Sequence, residues 1–235
     1  MKSNPFRFKQ FDVYQYRTAM KIGTDGVLLG AWAEAFHPRR ILDVGTGTGV
    51  IALMSAQRFP QALIEAVEIE AEAAEQARYN FQISRWKERL HLIHTDFKDF
   101  QSSHRYDLIL SNPPYFDEDY LSADAKRNLA RHTRSLSLWD LIEKAKKYLS
   151  PQGSIVLILP IQKEKELRDI LYRQALFINR LTYVKGTYKS PVKRILLQIS
   201  SVKTNFKPQE LVIEEARHRY TAEYIALTKD FYLKM

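Results

Sequence analysis

The stretch Arg40-Ile41-Leu42-Asp43-Val44-Gly45-Thr46-Gly47-Thr48-Gly49, continued by VIALMSAQR over residues 50–58, decides the fold. RILDV (40–44) is a short β-branched and aliphatic run, the pattern of a buried strand. From residue 48 to 58 the apolar positions recur at helical spacing. Outward from this unit the alternation repeats. ALIEAVE (62–68), HLIHT (91–95), YDLILS (106–111) and GSIVLILP (153–160) read as strands. Residues 70–84 are rich in Ala and Glu and read as a helix. Trp139–Leu149 and the charged stretch 163–175 read the same way, with a turn at Pro-Gln-Gly 151–153. Residues 177–184 and 193–201 are two strands with no helical pattern between them, joined by a loop containing Gly186 and Pro191. Strands alternating with helices imply an α/β fold: a doubly wound, mostly parallel sheet of seven strands with helices on both faces. The last pair adds an antiparallel hairpin at one edge. One domain is expected: a basic and aromatic extension over 1–39 that looks strand-like, a Rossmann-like core over 40–201, and a tail over 202–235 with a helix near 221–231.

Composition narrows the class. The chain has 235 residues, 45% hydrophobic and 27% charged, which is ordinary globular usage. It has no cysteine, which excludes disulfides, zinc–thiolate sites and a cysteine nucleophile. The start, MKSNPFRFKQ, has no apolar run of the kind a signal peptide needs. No stretch approaches the ~18 apolar residues of a membrane span, so a cytoplasmic protein is expected. Net charge is +9, unevenly spread. Residues 41–118 carry 7 basic and 12 acidic groups, while every flanking segment is basic. A polyanion is therefore drawn to the flanks.

The glycine loop lies between the first core strand and the first helix. Its G-x-G-x-G spacing lacks the G-x-G-x-x-G of dinucleotide binders and the GK[ST] of phosphate loops. A carboxylate at Asp43 suits a ligand with a cationic or donor-rich end better than a pyrophosphate. Gly45, Gly47 and Gly49 let backbone approach that ligand. Glu68 closes the second strand, where a carboxylate accepts hydrogen bonds from both ribose hydroxyls. Asp96 and Phe97 follow the third strand, placed to bind an exocyclic amine and cover an aromatic ring. Strand-end carboxylates also serve as helix caps. Taken together at successive strand ends, these residues fit S-adenosylmethionine, with its adenine, ribose diol and α-ammonium group. His91 and His94 face opposite sides of a strand, so no metal site is expected.

After the fourth strand comes Ser111-Asn112-Pro113-Pro114-Tyr115-Phe116. The prolines fix φ and offer no N–H, and each pushes the preceding residue to an extended shape. Asn112 is thus held rigidly at a strand end with acceptors only: its side-chain oxygen and the Pro113 carbonyl. Tyr115 offers a flat face for stacking. Such a corner suits methylation of a planar amine, whose lone pair is delocalised. Two acceptors on its two protons favour a pyramidal, nucleophilic nitrogen. A tight turn is the plain reading of this tetrapeptide taken alone.

These motifs resemble the class I S-adenosylmethionine-dependent methyltransferases of the N6-adenine type. Phe6-Arg7-Phe8-Lys9-Gln10-Phe11, the stretch Ala19–Trp32, and the end, Tyr220–Tyr224 with Leu227–Met235, are similar to the tRNA1(Val) adenine-37 N6-methyltransferase family. The resemblance spans essentially the whole chain. It implies S-adenosylmethionine as cofactor and methyl transfer to adenine 37 of a valine tRNA. It implies that Asp43, Gly45, Gly47, Gly49, Glu68 and Asp96 line the cofactor, and that Asn112, Pro113, Pro114 and Tyr115 line the target base. Lys21 and Thr24, in the stretch that enters just before the first core strand, are further cofactor candidates; Thr24 or Asp25 equally suits a helix cap.

Three basic clusters suit an RNA partner. Arg7, Lys9, Arg17 and Lys21 interleave with Phe6, Phe8, Phe11, Tyr14 and Tyr16. Cations hold phosphates and aromatics stack on splayed bases, unless the aromatics pack on the core of a hairpin. Lys126, Arg127, Arg131, His132 and Arg134 follow the Asn-Pro-Pro-Tyr turn, in a substrate-gripping loop or an exposed helix start. Lys185, Lys189, Lys193 and Arg194 surround the hairpin loop. Three rival functions share parts of this pattern. A glutamine-directed protein methyltransferase uses the same Asn-Pro-Pro-Tyr chemistry, but with a helical domain ahead of the fold. A guanine-N2 methyltransferase acting on ribosomal RNA usually has a duplicated domain. A non-catalytic tRNA-binding module would have no need of the set from Asp43 to Tyr115.

Overall fold

The computed structural model describes residues 4–18, 21–114 and 136–235. The chain begins with a short antiparallel hairpin, β1 (Phe6–Arg7) against β2 (Asp12–Val13), and a helix, α1 (Thr24–Trp32). The core follows as β3 (Arg40–Val44), α2 (Val50–Arg58), β4 (Leu63–Glu68), α3 (Ala71–Ile83), β5 (Leu90–His94) and β6 (Tyr106–Ser111). Then come α4 (Leu138–Tyr148), β7 (Leu149–Pro160), α5 (Glu164–Arg173), β8 (Phe177–Thr187) and β9 (Val192–Ser200). The tail forms β10 (Gln209–Ala216), β11 (Arg219–Tyr220) and α6 (Ala222–Thr228).

The strands order as β11-β10-β8-β9-β7-β6-β3-β4-β5. Strands β5, β4, β3, β6 and β7 run parallel, and β9 is antiparallel to both β7 and β8. The chain winds from β3 outward to β5, then returns to β6 on the other side of β3. That reversal opens a crevice above the carboxyl ends of β3 and β6, where ligands of such sheets bind.

Side-chain alternation divides the core into two layers. Ile41, Leu108, Leu110, Val156 and Ile158 face α1, α2 and α6. Leu42, Ile109, Ile155, Leu157 and Leu159 face α4 and α5. Strands buried on both faces read as unbroken apolar runs, as the sequence has them.

Four expectations need correction. The expected seven strands are present, but the sheet has nine, because the tail adds β10 and β11. The β8–β9 hairpin is therefore not an edge: β10 pairs in parallel with β8, and Leu211 and Val212 of β10 are buried. The extension is not strand-like throughout. TDGVLLGAW is a helix with seven of its nine residues buried, and a Cβ on Gly30 would lie 2.7 Å from the Met54 sulfur of α2. Pro151-Gln152-Gly153 is a bulge rather than a turn before β7: Tyr106 pairs with Leu149, but Leu108 pairs with Ser154.

The N-terminal hairpin packs on the tail. Phe8 stacks on Phe11 and on Tyr232, and the Lys9 N–H donates to the Phe231 carbonyl at 2.8 Å. Phe8 and Phe11 are buried, so they serve the core rather than a base. Among the described residues no helix is long and apolar enough to cross a membrane, and no cluster could hold a metal ion.

Candidate functional site

The crevice is floored by the strand-to-helix turns after β3, β4 and β6. Gly45, Gly47 and Gly49 all have left-handed φ, at 73°, 56° and 84°. A Cβ on Gly45 or Gly47 would meet nothing within 4 Å, so space stands open above the loop. Gly49 differs: a Cβ there would lie 2.5 Å from the Phe81 ring. Gly49 is thus required both by its φ and by the close approach of α3.

The loop is tied down by the carboxylates beneath it. Asp43 is fully buried, and its Oδ2 accepts from the Thr46 hydroxyl at 2.6 Å. Its Oδ1 is buried without a partner. Burial pushes the Asp43 carboxyl up to about 7; the Thr46 hydroxyl and the Ala52 N–H oppose the shift and the Glu68 charge adds to it. An acceptor stranded in this way suits a cationic donor entering from the crevice. Glu68 Oε2 accepts from the Gly47 N–H at 2.8 Å, and Oε1 accepts from the Ile69 and Glu70 N–H groups at 2.9 Å. Asp96 is half-buried at the next strand end, its Oδ1 accepting from the Lys98 N–H.

Across the switch point, Ser111 pairs with Val44, and its hydroxyl donates to the Val44 carbonyl at 2.9 Å. That bond fastens the end of β6 to the start of the glycine loop. Asn112 follows immediately, half-buried, with Pro113 buried and Pro114 exposed. Tyr115, Lys126, Arg127, Arg131, His132 and Arg134 lie outside the described residues.

Other expected residues are placed elsewhere. The Phe97 ring is sunk in the core, stacked on Phe100 at 5.8 Å, because its apolar surface is better covered there than over a ligand. Lys21 donates to the Gln15 and Thr18 carbonyls, closing its own loop. Thr24 opens α1 without capping it; Gly23 is the N-cap residue and makes no side-chain bond. Asp25 instead pairs with Arg194 at 2.8 Å, which commits Arg194 to the fold. Arg7 is exposed on the hairpin, and Lys9 donates to the Lys229 carbonyl. Lys9 lines a hollow with Gln57 and Arg58, at the end of α2 remote from the glycine loop. Lys189 and Lys193 are exposed.

Residues not singled out from the sequence complete the frame. Asn80, fully buried on α3, donates to the Thr48 and Tyr14 carbonyls at 2.8 Å and accepts from the Tyr14 N–H at 2.9 Å. Gln76, one turn earlier, accepts from the Arg17 N–H. Both occupy buried positions in line with Ala73, Ala77 and Phe81, and polar residues on an otherwise apolar stripe are the signal that marks them.

This fold and crevice define a class I S-adenosylmethionine-dependent methyltransferase. The methyltransferase small domain family model matches residues 17–186. A relative from Christiangramia forsetii, named tRNA1(Val) (adenine(37)-N6)-methyltransferase, is 48% identical with all of both chains covered. One of the same name from Flavobacterium johnsoniae is 47% identical over 98% of this chain and 100% of its own. The chain belongs to the methyltransferase small domain family and, within it, to the family of these relatives. Among solved structures, a predicted O-methyltransferase from Agrobacterium tumefaciens superposes with a TM-score of 0.68 at 20% identity, covering 88% of this chain and 96% of that one. A putative RNA methyltransferase from Pyrococcus horikoshii gives 0.53 at 16% identity, over 75% and 83%. These two establish the fold alone.

Proposed function

We propose that this methyltransferase transfers a methyl group to the exocyclic N6 of adenine 37 in the anticodon loop of tRNA1(Val). One observation carries the reading: the buried Ser111–Val44 bond locks the acceptor corner, Asn112-Pro113, beside the glycine loop. The names of the full-length relatives supply the substrate.

S-adenosylmethionine, when bound, supplies an electrophilic methyl on a sulfonium. The residues present fit it. The unpartnered Asp43 Oδ1 accepts from its ammonium, and the open space at Gly45 and Gly47 admits it against the backbone. Gly49 holds the turn, Glu68 keeps one unused lone pair, on Oε2, that would accept from a ribose hydroxyl, and Asp96 would accept from the adenine amine. Asn112 Oδ1 and the Pro113 carbonyl would each accept a hydrogen bond from one of the two N–H groups of the target amine. Pro113 and Pro114 bring no N–H to compete for its lone pair. The nitrogen gains the methyl as the bond from the methyl carbon to sulfur breaks and the sulfur leaves as a neutral thioether. The cationic nitrogen then releases one proton to solvent water, so no strong general base is needed. Positioning and electrostatics supply most of the acceleration. An anticodon loop suits this corner, because an unpaired base leaves its stack more cheaply than a paired one. Such a substrate places the enzyme in the cytoplasm.

The test is mass spectrometry of digested tRNA1(Val) from cells with and without the gene. N6-methyladenosine at position 37 is expected only when the gene is present. Its persistence after deletion removes this reading.

A further inference from the structure

Two turns that play no part in the crevice emerge at the same end of the sheet's strands. Strand β8 is antiparallel to β9, which is antiparallel to β7, so β8 runs in the direction of β6. Thr187, the last residue of β8, pairs with Glu214 of β10. The β8–β9 turn and the β10–β11 turn therefore stand side by side, at the end of the sheet where Asn112 follows β6. From strand rise and spacing, the first turn stands on the order of 20 Å from Asn112.

The first turn is stiff. Ser190 N–H donates to the Thr187 carbonyl at 3.0 Å, and the two hydroxyls meet at 2.8 Å. Its tip is Tyr188-Lys189, with Tyr188 62% exposed. The second turn is Arg217-His218, with His218 at a left-handed φ of 62° and Arg219 following; all three are exposed. Most neighbouring charges are spoken for. Lys185 pairs with Glu210, Arg194 with Asp25, and Arg219 with Glu215. Glu214 lies below the second turn, accepting from the His218 N–H at 3.4 Å. Among the described residues Lys189, Lys193 and Arg217 make no ion pair. A rigid turn holding an aromatic ring in water, between cations without counter-ions, has the chemistry of a single-stranded RNA contact.

We propose that these two turns grip the anticodon arm while its adenine occupies the Asn112 corner. Tyr188 stacks on an unpaired base, and Lys189, Lys193 and Arg217 hold phosphates. The Asp25–Arg194 pair positions the first turn by fastening the start of β9 to α1. This rests on tRNA being the substrate.

The test compares the double variant Lys189→Glu/Arg217→Glu, the single variant Tyr188→Ala, and a control, Arg173→Glu, at the opposite end of the strands, just before β8. Full-length protein and transcribed tRNA1(Val) are used, with binding measured across a salt series, steady-state kinetics, and cofactor binding by calorimetry. The double variant is expected to weaken tRNA binding and raise KM about tenfold or more, with kcat and cofactor affinity within twofold. Its log–log salt slope should flatten by roughly two, about one per lost phosphate contact. Tyr188→Ala should weaken binding about fivefold or more, without flattening the slope. The control should bind as wild type. Wild-type affinity and slope in the double variant overturn the grip. A wild type that binds tRNA through these turns but methylates none overturns the proposed activity instead, and leaves the grip standing.

Discussion

Asn80 holds Tyr14 by both its backbone groups, accepting from its N–H and donating to its C=O, and spends its second amide proton on the Thr48 carbonyl. One buried side chain thus fastens the N-terminal segment, α3 and the glycine loop together. Asn80→Ala leaves the buried Thr48 carbonyl and the two part-buried backbone groups of Tyr14 without their partner and is expected to cost about 3 kcal/mol. Cofactor affinity should fall tenfold or more, because the loop loses its tie to the segment beside it. Asn80→Asp keeps the acceptor but turns a buried carboxyl group toward the Tyr14 and Thr48 carbonyls, so it should destabilise at least as much as Asn80→Ala. Thermal melts and calorimetry check this; unchanged cofactor affinity in the destabilised variants would confine Asn80 to a structural role.

Gly49 and Phe81 form a second close relationship. Gly49→Ala places a Cβ against the Phe81 ring on a backbone with φ of 84°, at an expected cost of about 2–4 kcal/mol. Phe81→Leu should relieve the clash but not the φ strain. The double variant is then less destabilised than the sum of the singles by about 1–2 kcal/mol. Gly45→Ala strains φ alone, costs about 1 kcal/mol, and narrows the crevice, so it should weaken cofactor binding more than stability. Denaturant unfolding gives both numbers; additive effects at Gly49 and Phe81 would remove the steric claim.

The Asp43 carboxyl sets a pH dependence. Its folded value is raised from 3.8 to about 7, so over that interval the folded chain holds a proton that the unfolded chain has released. Stability from this group is therefore complete below about pH 4 and is lost as pH rises through about 7, by up to about 4 kcal/mol. Asp43→Asn should remove that slope. An ammonium beside Asp43 pulls the carboxyl back down, so cofactor binding near pH 6 should release a proton. Melts at several pH values, and calorimetry in two buffers, report this. Parallel stability profiles for wild type and variant would rule it out.

How much of this was legible depended on where each residue's partners lie in the chain. The core strands read correctly, because burial on both faces leaves unbroken apolar runs such as Ile155 to Leu159. The glycine loop read correctly, because left-handed backbone selects one residue type. Helix α1 was hidden: it is apolar all round, and Gly26 and Gly30 depress its helical pattern so that it can approach α2. Strand β10 was hidden by the charges flanking Leu211-Val212-Ile213. Phe97 was misread, since a ring after a strand end can turn inward as readily as toward a ligand. The Arg194–Asp25 pair joins residues 169 apart, and nothing local to either announces it.

Asn112 tests the chemistry most directly. It begins the loop after β6, next to Ser111, whose hydroxyl fixes the strand end to Val44. If its oxygen accepts a hydrogen bond from the amine in the transition state, Asn112→Ala should lower kcat by roughly a hundredfold or more. Cofactor affinity should stay within a few-fold, since Asp43, the glycine loop and Glu68 are untouched. Asn112→Asp keeps an acceptor and should retain more turnover than the Ala variant at equal cofactor occupancy. Single-turnover rates with saturating cofactor separate these outcomes. Loss of cofactor binding in Asn112→Ala would move the residue into the cofactor pocket. Equal rates for the Ala and Asp variants would mean that the corner works by shape alone and not by accepting a hydrogen bond from the amine.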